Sequence, residues 1–264
     1  MRIFGLGLAA ALALAPAMAP LPALSQTACG GQTEPDRLQA LTPQGDLVLA
    51  SGRIAKLSAI RLPDAPERRE EVLVWLRGRM GEDVQVRSRP GLDRWNRLLA
   101  QISLPHESNP SDLAEKLVGS GLVLVDPGAD ETFCQSQLLH FEAKARELSL
   151  GLWRDDRYKP IQSDQTDRLR ERIGNFALVE GRVRSVGERA QRTYLNFGGH
   201  WAEDFTIVIP KKTWKLMAER GLDAAALRGK TIRARGILEP WQGTSLTITV
   251  PEMIERLAGE RPPR

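Results

Sequence analysis

The chain has 264 residues, 42% of them hydrophobic and 27% charged, with 37 Lys and Arg against 33 Asp and Glu. That composition supports a packed core and excludes general disorder, and the length allows one large domain or two small ones. The net charge of +4 is unevenly placed: residues 1–153 carry 16 Lys and Arg against 18 Asp and Glu, whereas residues 154–264 carry 21 against 15. The C-terminal part is the one placed to attract a polyanion, although a solvated Arg-rich surface would have the same composition.

Met1–Ser25 reads as an export signal, with Arg2 ahead of an apolar run that is followed by small residues. Ala23-Leu24-Ser25 fits a signal-peptidase site, so the expected mature protein starts at Gln26 and works in the periplasm or outside the cell. No later stretch approaches the roughly 20 apolar residues of a membrane helix. Cys29 and Cys134 are the two cysteines of the mature chain. An even count in an oxidising compartment points to one disulfide, closing a loop of roughly 100 residues.

Residues 26–40 read as a loose polar arm. Leu47 and Leu49, then Ile54 to Ile60, read as two strands about a turn at Ser51-Gly52. Pro66 opens a helix whose Glu67, Glu70 and Glu71 suit its positive end, and Val72, Leu73, Leu76 and Met80 recur at helical spacing before Gly81. Asp83 to Arg89 alternates as a strand with Val84 and Val86 inward, and Leu98 to Leu104 is another. Ser111 reads as the cap of a helix over Asp112 to Gly119, and LVLVDP as a short buried strand. Glu131 to Leu148 reads as a longer helix with Leu138, Phe141, Ala145 and Leu148 inward. The order gives an α+β domain over 26–153, a small antiparallel barrel with three helices.

Arg154 to Arg172, charged and Pro-containing, reads as a linker. Beyond it, Phe176–Val186, Thr193–Phe197, Asp204–Ile209, Thr231–Leu238 and Ser245–Val250 read as strands, the last two joined by a turn at Gln242-Gly243. A helix over Lys211 to Arg220 separates the third from the fourth. That order is the OB-fold pattern, a second and smaller barrel over 173–258, with 259–264 as a disordered tail.

Two distant cysteines and three scattered histidines (His106, His140, His200) exclude zinc and haem spacing, and no nucleophile elbow, P-loop or G-x-G-x-x-G phosphate loop occurs. What remains is carboxylates and arginines: Asp46, Asp64, Glu67 and Asp93 with Arg61, Arg94 and Arg97. Carboxylates that hold a divalent cation, with arginines that hold phosphate, are what metal-assisted phosphodiester hydrolysis needs.

Five segments fall in an informative order: Gly45-Asp46-Leu47-Val48, the run Lys56 to Ile60 with Pro63, Asp93 to Arg97, the helix end Glu115 to Gly121, and Glu142 to Arg146 followed by Gly151-Leu152-Trp153. In order and spacing they resemble the staphylococcal nuclease-like, or thermonuclease, family over residues 45–153. The resemblance implies an OB-type barrel with packed helices and a calcium-dependent attack on phosphodiesters of DNA and RNA. It places Asp46 at the first metal-binding Asp. Against the family's R-L-x-G-I-D-x-P-E run, a gap-free alignment puts Lys56 at the phosphate-binding Arg, Arg61 at the second metal-binding Asp, and Asp64 at the Glu near the attacking water. Arg97 matches the second Arg, in D-x-Y-G-R. A rival alignment, anchored on Asp64-Ala65-Pro66-Glu67, restores the Asp and the Glu but puts Ala59 at the first Arg.

Both alignments leave the set degenerate. A guanidinium offers no lone pair to a cation, and losing one transition-state donor costs about 100-fold or more. The expectation is an exported nuclease-family protein that binds nucleic acid or a protein partner without efficient hydrolysis and without a cofactor. The alternative is a weak or altered metal-dependent phosphodiesterase that uses Asp46, Asp64 and Glu67, with calcium on Asp46 and Asp64. Asp46, Arg61, Asp64, Glu67 and Arg97 could also form an ion-pair cluster with no ligand. In the C-terminal part, Arg182, Arg184, Tyr194, Trp201, Arg233, Arg235 and Trp241 make a candidate surface for single-stranded nucleic acid, by stacking and charge. Core or rim packing is the other reading of those aromatics.

Overall fold

A computed structural model of the chain describes residues 29, 31–105, 112–129, 132–199, 203–241 and 243–257. The export signal, His106, Ser111, His200, Trp201, Gln242 and the 259–264 tail lie outside the described residues.

The first half builds a closed barrel from β1 (Gln32–Leu41), β2 (Leu47–Leu49), β3 (Ile54–Leu57), β5 (Asp83–Ser88) and β6 (Leu98–Ser103), in the order β1-β2-β3-β6-β5. Only β3 and β6 run parallel. A short ribbon of β4 (Ile60–Arg61) with β7 (Leu124–Val125), and helices α1 (Pro66–Arg77), α2 (Leu113–Gly119) and α3 (Gln137–Glu147), complete this half. Strand β1 corrects the expectation of a loose arm. Of its ten residues only Leu38 is buried, so apolar alternation is missing; the backbone ladder to β5, from Gln32↔Ser88 to Arg37↔Asp83, holds it instead. The Cys29–Cys134 disulfide ties the start of this strand to the approach of α3.

Two further expectations change. The cap of α2 is Asp112, which accepts from Ala114 N at 2.7 Å while Asp112 N donates to Glu115 Oε2 at 3.4 Å, a capping box set by the D-x-x-E spacing. The third helix begins at Gln137 rather than Glu131; Leu138 and Ala145 face the core, Leu148 is exposed, and the buried polar residue on its inner face is Glu142. Gly121 and Gly151, from two separated segments, are needed at one contact. A Cβ on Gly121 would meet Leu150 O at 2.4 Å, and one on Gly151 would meet Gly121 O at 2.3 Å. That approach lets Leu152 N donate to Gly121 O at 2.8 Å and seats Trp153 in the core.

Arg154–Arg172, expected as a linker, folds: it carries β8 (Ile161–Gln162) and α4 (Thr166–Glu171), and buries Tyr158, Ile161 and Leu169. The rest of the C-terminal part holds β9 (Phe176–Arg182), β10 (Ser185–Glu188), β11 (Arg192–Asn196), β12 (Thr206–Pro210), α5 (Lys211–Glu219), α6 (Ala224–Leu227), β13 (Thr231–Pro240), β14 (Thr244–Thr247) and β15 (Ile254–Arg256). The sheet runs β10-β11-β12-β14-β13-β9-β8, with β12 parallel to β14 and β15 added on β13. If β9 and β10 count as one bent strand, this is the strand order of the first barrel, again with a parallel pair between its third and fifth strands.

The two halves share a core. Ala65, Leu124, Ala145, Leu152 and Trp153 of the first pack with Tyr158, Phe176 and Leu178. Beside this apolar cluster runs an alternating ion chain, Arg146–Glu142–Arg235–Glu255–Arg233–Glu180. Arg235 is wholly buried; its Nη1 donates to Glu142 at 2.7 Å and to Val125 O at 3.2 Å, and its Nη2 to Glu255. Burial opposes the Arg235 charge, but Glu142 and Glu255 outweigh it and hold the pKa above the ordinary arginine value.

Candidate active cleft

The local backbone decides which residues face the cleft. Ala59 has φ +62°, between β3 and β4, and Asn96 has φ +62°, in the turn before β6. Both stand where the family motifs have Gly, in R-L-x-G-I-D under the gap-free alignment and in D-x-Y-G-R. Asn tolerates the left-handed region and Ala does so at a cost. The rival alignment would put Leu62 at the first of these glycines, and Leu62 is not among the residues of positive φ. The backbone at Ala59 thus suits the gap-free register better than the rival one.

Asp93 winds the second loop. Its side chain accepts from Trp95 N at 2.9 Å and Arg97 N at 3.0 Å, and its backbone pairs with Arg97 and Asn96. This aims Arg97 inward. Arg97 Nη1 lies 3.0 Å from both oxygens of Asp46, while its Nε and Nη2 lie 2.9 and 2.7 Å from Asp93 Oδ2. Burial works against the Arg97 charge, yet hydrogen bonds to Asp93 and Asp46 raise its pKa above the usual value. Burial would likewise raise Asp93; the contacts from Arg97 and the backbone N–H groups of Arg97 and Trp95 hold it below the carboxylate range.

The β4–β7 ribbon pairs Arg61 with Leu124 and so brings Arg61 against Asp126, the residue that follows β7. Arg61 Nε and Nη2 are each 2.9 Å from Asp126 Oδ2, and the guanidinium carbon lies 5.1 Å from the centre of the Phe176 ring. Asp46, Lys56, Arg61, Asp64, Arg97 and Asp126 then line one cleft of about 230 Å³, with Arg69 at its rim. Glu67 does not line it: Glu67 is exposed and pairs with Arg157 at 3.6 Å. Asp64 pairs with Arg172 at 3.7 Å. The loop that carries these two acids is thus held from the C-terminal side, where Tyr158 Oη also accepts from Ala65 N at 3.2 Å.

Five of the six predicted positions are brought together, and one is not. Asp126, Arg69 and the loop partners Arg157, Arg172 and Tyr158 were missed. An acid directly after the buried LVLV run was the one available signal for Asp126. Each acid near the cleft is paired with an arginine, Arg97 serving both Asp46 and Asp93, whereas Lys56 and Arg69 have no carboxylate partner among the described residues; Arg69 donates to Gln44 O at 3.3 Å. Among the described residues no three His, Cys, Asp or Glu side chains converge on a point where they could hold a cation. This donor set does not fit the calcium that the resemblance implies: a guanidinium bridges Asp46, and another stands where the second acid would be.

The set expected to hold nucleic acid in the C-terminal part divides. Arg235 is buried in the ion chain, and Arg233 is paired with Glu180 at 2.6 Å and Glu255 at 3.6 Å, so neither offers a free surface cation. The alternation of β13 turns both toward the other half of the molecule. Arg182 is exposed and donates to Gly229 O at 3.0 Å. Tyr194 and Trp241 meet each other, and Arg184 lies along the same face.

A small closed barrel carrying packed helices, with a cleft of arginines and carboxylates at the loops beside its parallel strand pair, defines a nuclease-type fold. Residues 73–155 match the family model described as Staphylococcal nuclease homologue. The match begins inside α1, so of the six predicted catalytic positions only Arg97 falls within it. No curated protein matches the chain.

Proposed function

We propose that this protein is an exported SNase-domain protein that binds the phosphodiester backbone of nucleic acid in the cleft without metal-assisted hydrolysis. The observation that carries the reading is Arg97 held on both oxygens of Asp46. A carboxylate so bound is not available to a cation, and the cleft keeps two cations, Lys56 and Arg69, that pair with no acid among the described residues. Arg61 supplies positive charge at the position of the absent ligand, which suits a phosphate rather than a metal. Function outside the cytoplasm is supported by the Cys29–Cys134 disulfide. No described helix is long and apolar enough to cross a membrane.

The test is anisotropy with a labelled single-stranded oligonucleotide, run in parallel with a gel assay of its length, in calcium and in EDTA. Binding that EDTA does not change, that weakens about tenfold in Lys56→Ala/Arg69→Ala, and that leaves the oligonucleotide intact is the expected result. Cleavage that EDTA abolishes and Arg97→Ala removes would establish the phosphodiesterase instead.

A further inference from the structure

A second site lies on the open face of the C-terminal sheet. Tyr194 on β11 stands opposite Val208 on β12 and Gly187 on β10, Asn196 stands opposite Thr206, and Thr206 stands beside Ser245 on β14. Directly opposed residues share a face, so these six floor one groove. The groove encloses about 310 Å³ and is walled by Trp241 and Arg189. The Tyr194 and Trp241 rings meet edge to face, 6.0 Å apart at 90°, and the Arg192 guanidinium carbon lies 5.6 Å from the Trp241 ring centre. A second opening of about 240 Å³ continues the groove, shares Asn196 and Thr206 with it, and carries Arg184.

Arginines outnumber acids on this face, where Glu239 stands opposite Ser245 and accepts from Thr247 Oγ1 at 3.1 Å. Arg184, Arg189 and Arg192 have no carboxylate partner among the described residues. Glu188, the nearest acid in the chain, turns away: it accepts from Trp214 Nε1 at 3.0 Å and lies 4.0 Å from Lys211. No carboxylate lines the larger opening among the described residues, and Asp204 in the smaller one is already partnered. A neutral sugar, whose hydroxyls donate hydrogen bonds, would be served by acceptor carboxylates that this floor lacks. A planar base with flanking phosphates matches it: ring faces to stack on, neutral polar side chains for a base edge, and arginines for the backbone.

We propose that this groove binds single-stranded nucleic acid, seating a base against Tyr194 and Trp241 with Asn196, Thr206 and Ser245 at its polar edge, and phosphates on Arg184, Arg189 and Arg192. The site stands apart from the cleft and does not depend on what the cleft binds.

Gly187 supplies a test that leaves both aromatics in place. A Cβ there meets nothing within 4 Å, so Gly187→Leu fills the groove without displacing the fold. The measurement is anisotropy of a labelled 12-nucleotide oligothymidylate with the full chain in EDTA, for Gly187→Leu, Trp241→Ala and Lys56→Ala/Arg69→Ala. The expected result, read in the Lys56→Ala/Arg69→Ala background so that the cleft does not mask the groove, is a loss of about tenfold or more for each groove variant at an unchanged melting temperature. Unchanged affinity in Gly187→Leu overturns the proposal, even where Trp241→Ala fails to fold. So does equal binding of a duplex of the same length, which would mean charge without stacking. Displacement of the oligonucleotide by a neutral oligosaccharide at equal concentration would assign the groove to sugars and overturn it as well.

Discussion

The two halves of this molecule use one strand order and treat their arginines in opposite ways. In the first barrel Arg97 is fixed between Asp46 and Asp93, and Arg61 is fixed on Asp126. In the C-terminal sheet Arg184, Arg189 and Arg192 stand on an open face and form no ion pair with an acid among the described residues. Arrangement of strands therefore says little about chemistry; what differs is the loops. The first barrel's loops carry Asp46, Asp64, Asp93 and Asp126, and the ribbon β4–β7 and the turn at Asn96 fold those acids onto arginines. The second sheet spends its acids on the seam, where Glu180 and Glu255 hold Arg233 and Arg235. A paired arginine shapes a site and an unpaired one is free for a ligand, and this chain holds both kinds.

The largest expected effect tests whether the two halves are one unit. Arg235→Met takes from the buried Glu142 its partner at 2.7 Å and leaves it the longer contact with Arg146, at 3.6 Å, and the Val125 N–H. Breaking a buried pair from one side costs about 3–5 kcal/mol. Urea unfolding followed by circular dichroism should show that loss as a lower midpoint, and the double variant Arg235→Met/Glu142→Gln should recover much of it. If the single variant instead splits one transition into two, the ion chain is what couples the halves, and the comparison becomes one of two separable modules.

Most of the fold was legible in the sequence, and the reasons are particular. Val84 and Val86, Val72 and Leu76, and the Pro66 helix start follow simple periodicity and all sit where it put them. Strand β1 was not legible because a strand held by backbone pairing, with one buried side chain, carries no apolar alternation. The fold of Arg154–Arg172 was hidden for a similar reason: its buried residues, Tyr158, Ile161 and Leu169, are spread among charges that face solvent. In the site, the position of Arg61 could be read from the motif, but its partner could not. Asp126 comes 65 residues later and meets Arg61 only through the β4–β7 ribbon. Arg235 misled for the opposite reason, since a basic residue on an alternating strand looks like surface until the acids of another element cover it.

An intermediate effect sharpens the contrast through pH. Burial pushes the Asp112 carboxyl up to about 7, with the charge of Glu115 adding to it against the backbone hydrogen bonds. A carboxyl raised in the folded state stays protonated while the unfolded chain ionises, so its presence costs stability as pH rises from its ordinary value near 3.8 toward 7, and the cost is constant above that. The loss is no more than about 4 kcal/mol. Melting temperatures at pH 4 and pH 8 should therefore fall less in Asp112→Asn, which keeps a capping oxygen and cannot ionise. Equal pH dependence in the variant would show that the capping box is solvated and that the first barrel's acids are all neutralised in the same way.

The smallest effect bears most directly on the two kinds of arginine. Arg97→Ala strips Asp46 and Asp93, both largely buried, of the same guanidinium, and leaving such acceptors unpaired costs about 1–3 kcal/mol. Arg192→Ala removes an exposed side chain that, among the described residues, lies over the Trp241 ring and pairs with no acid, and exposed substitutions of this kind stay within about 0.5 kcal/mol. Stability and oligonucleotide affinity should then move in opposite directions across the pair: Arg97→Ala lowers the urea midpoint the more, and Arg192→Ala lowers affinity at the groove with the midpoint unchanged. A midpoint that falls as far in Arg192→Ala would make that arginine structural. The open face would then be a packing surface rather than a binding one, because a residue kept for its ligand has little reason to hold the fold.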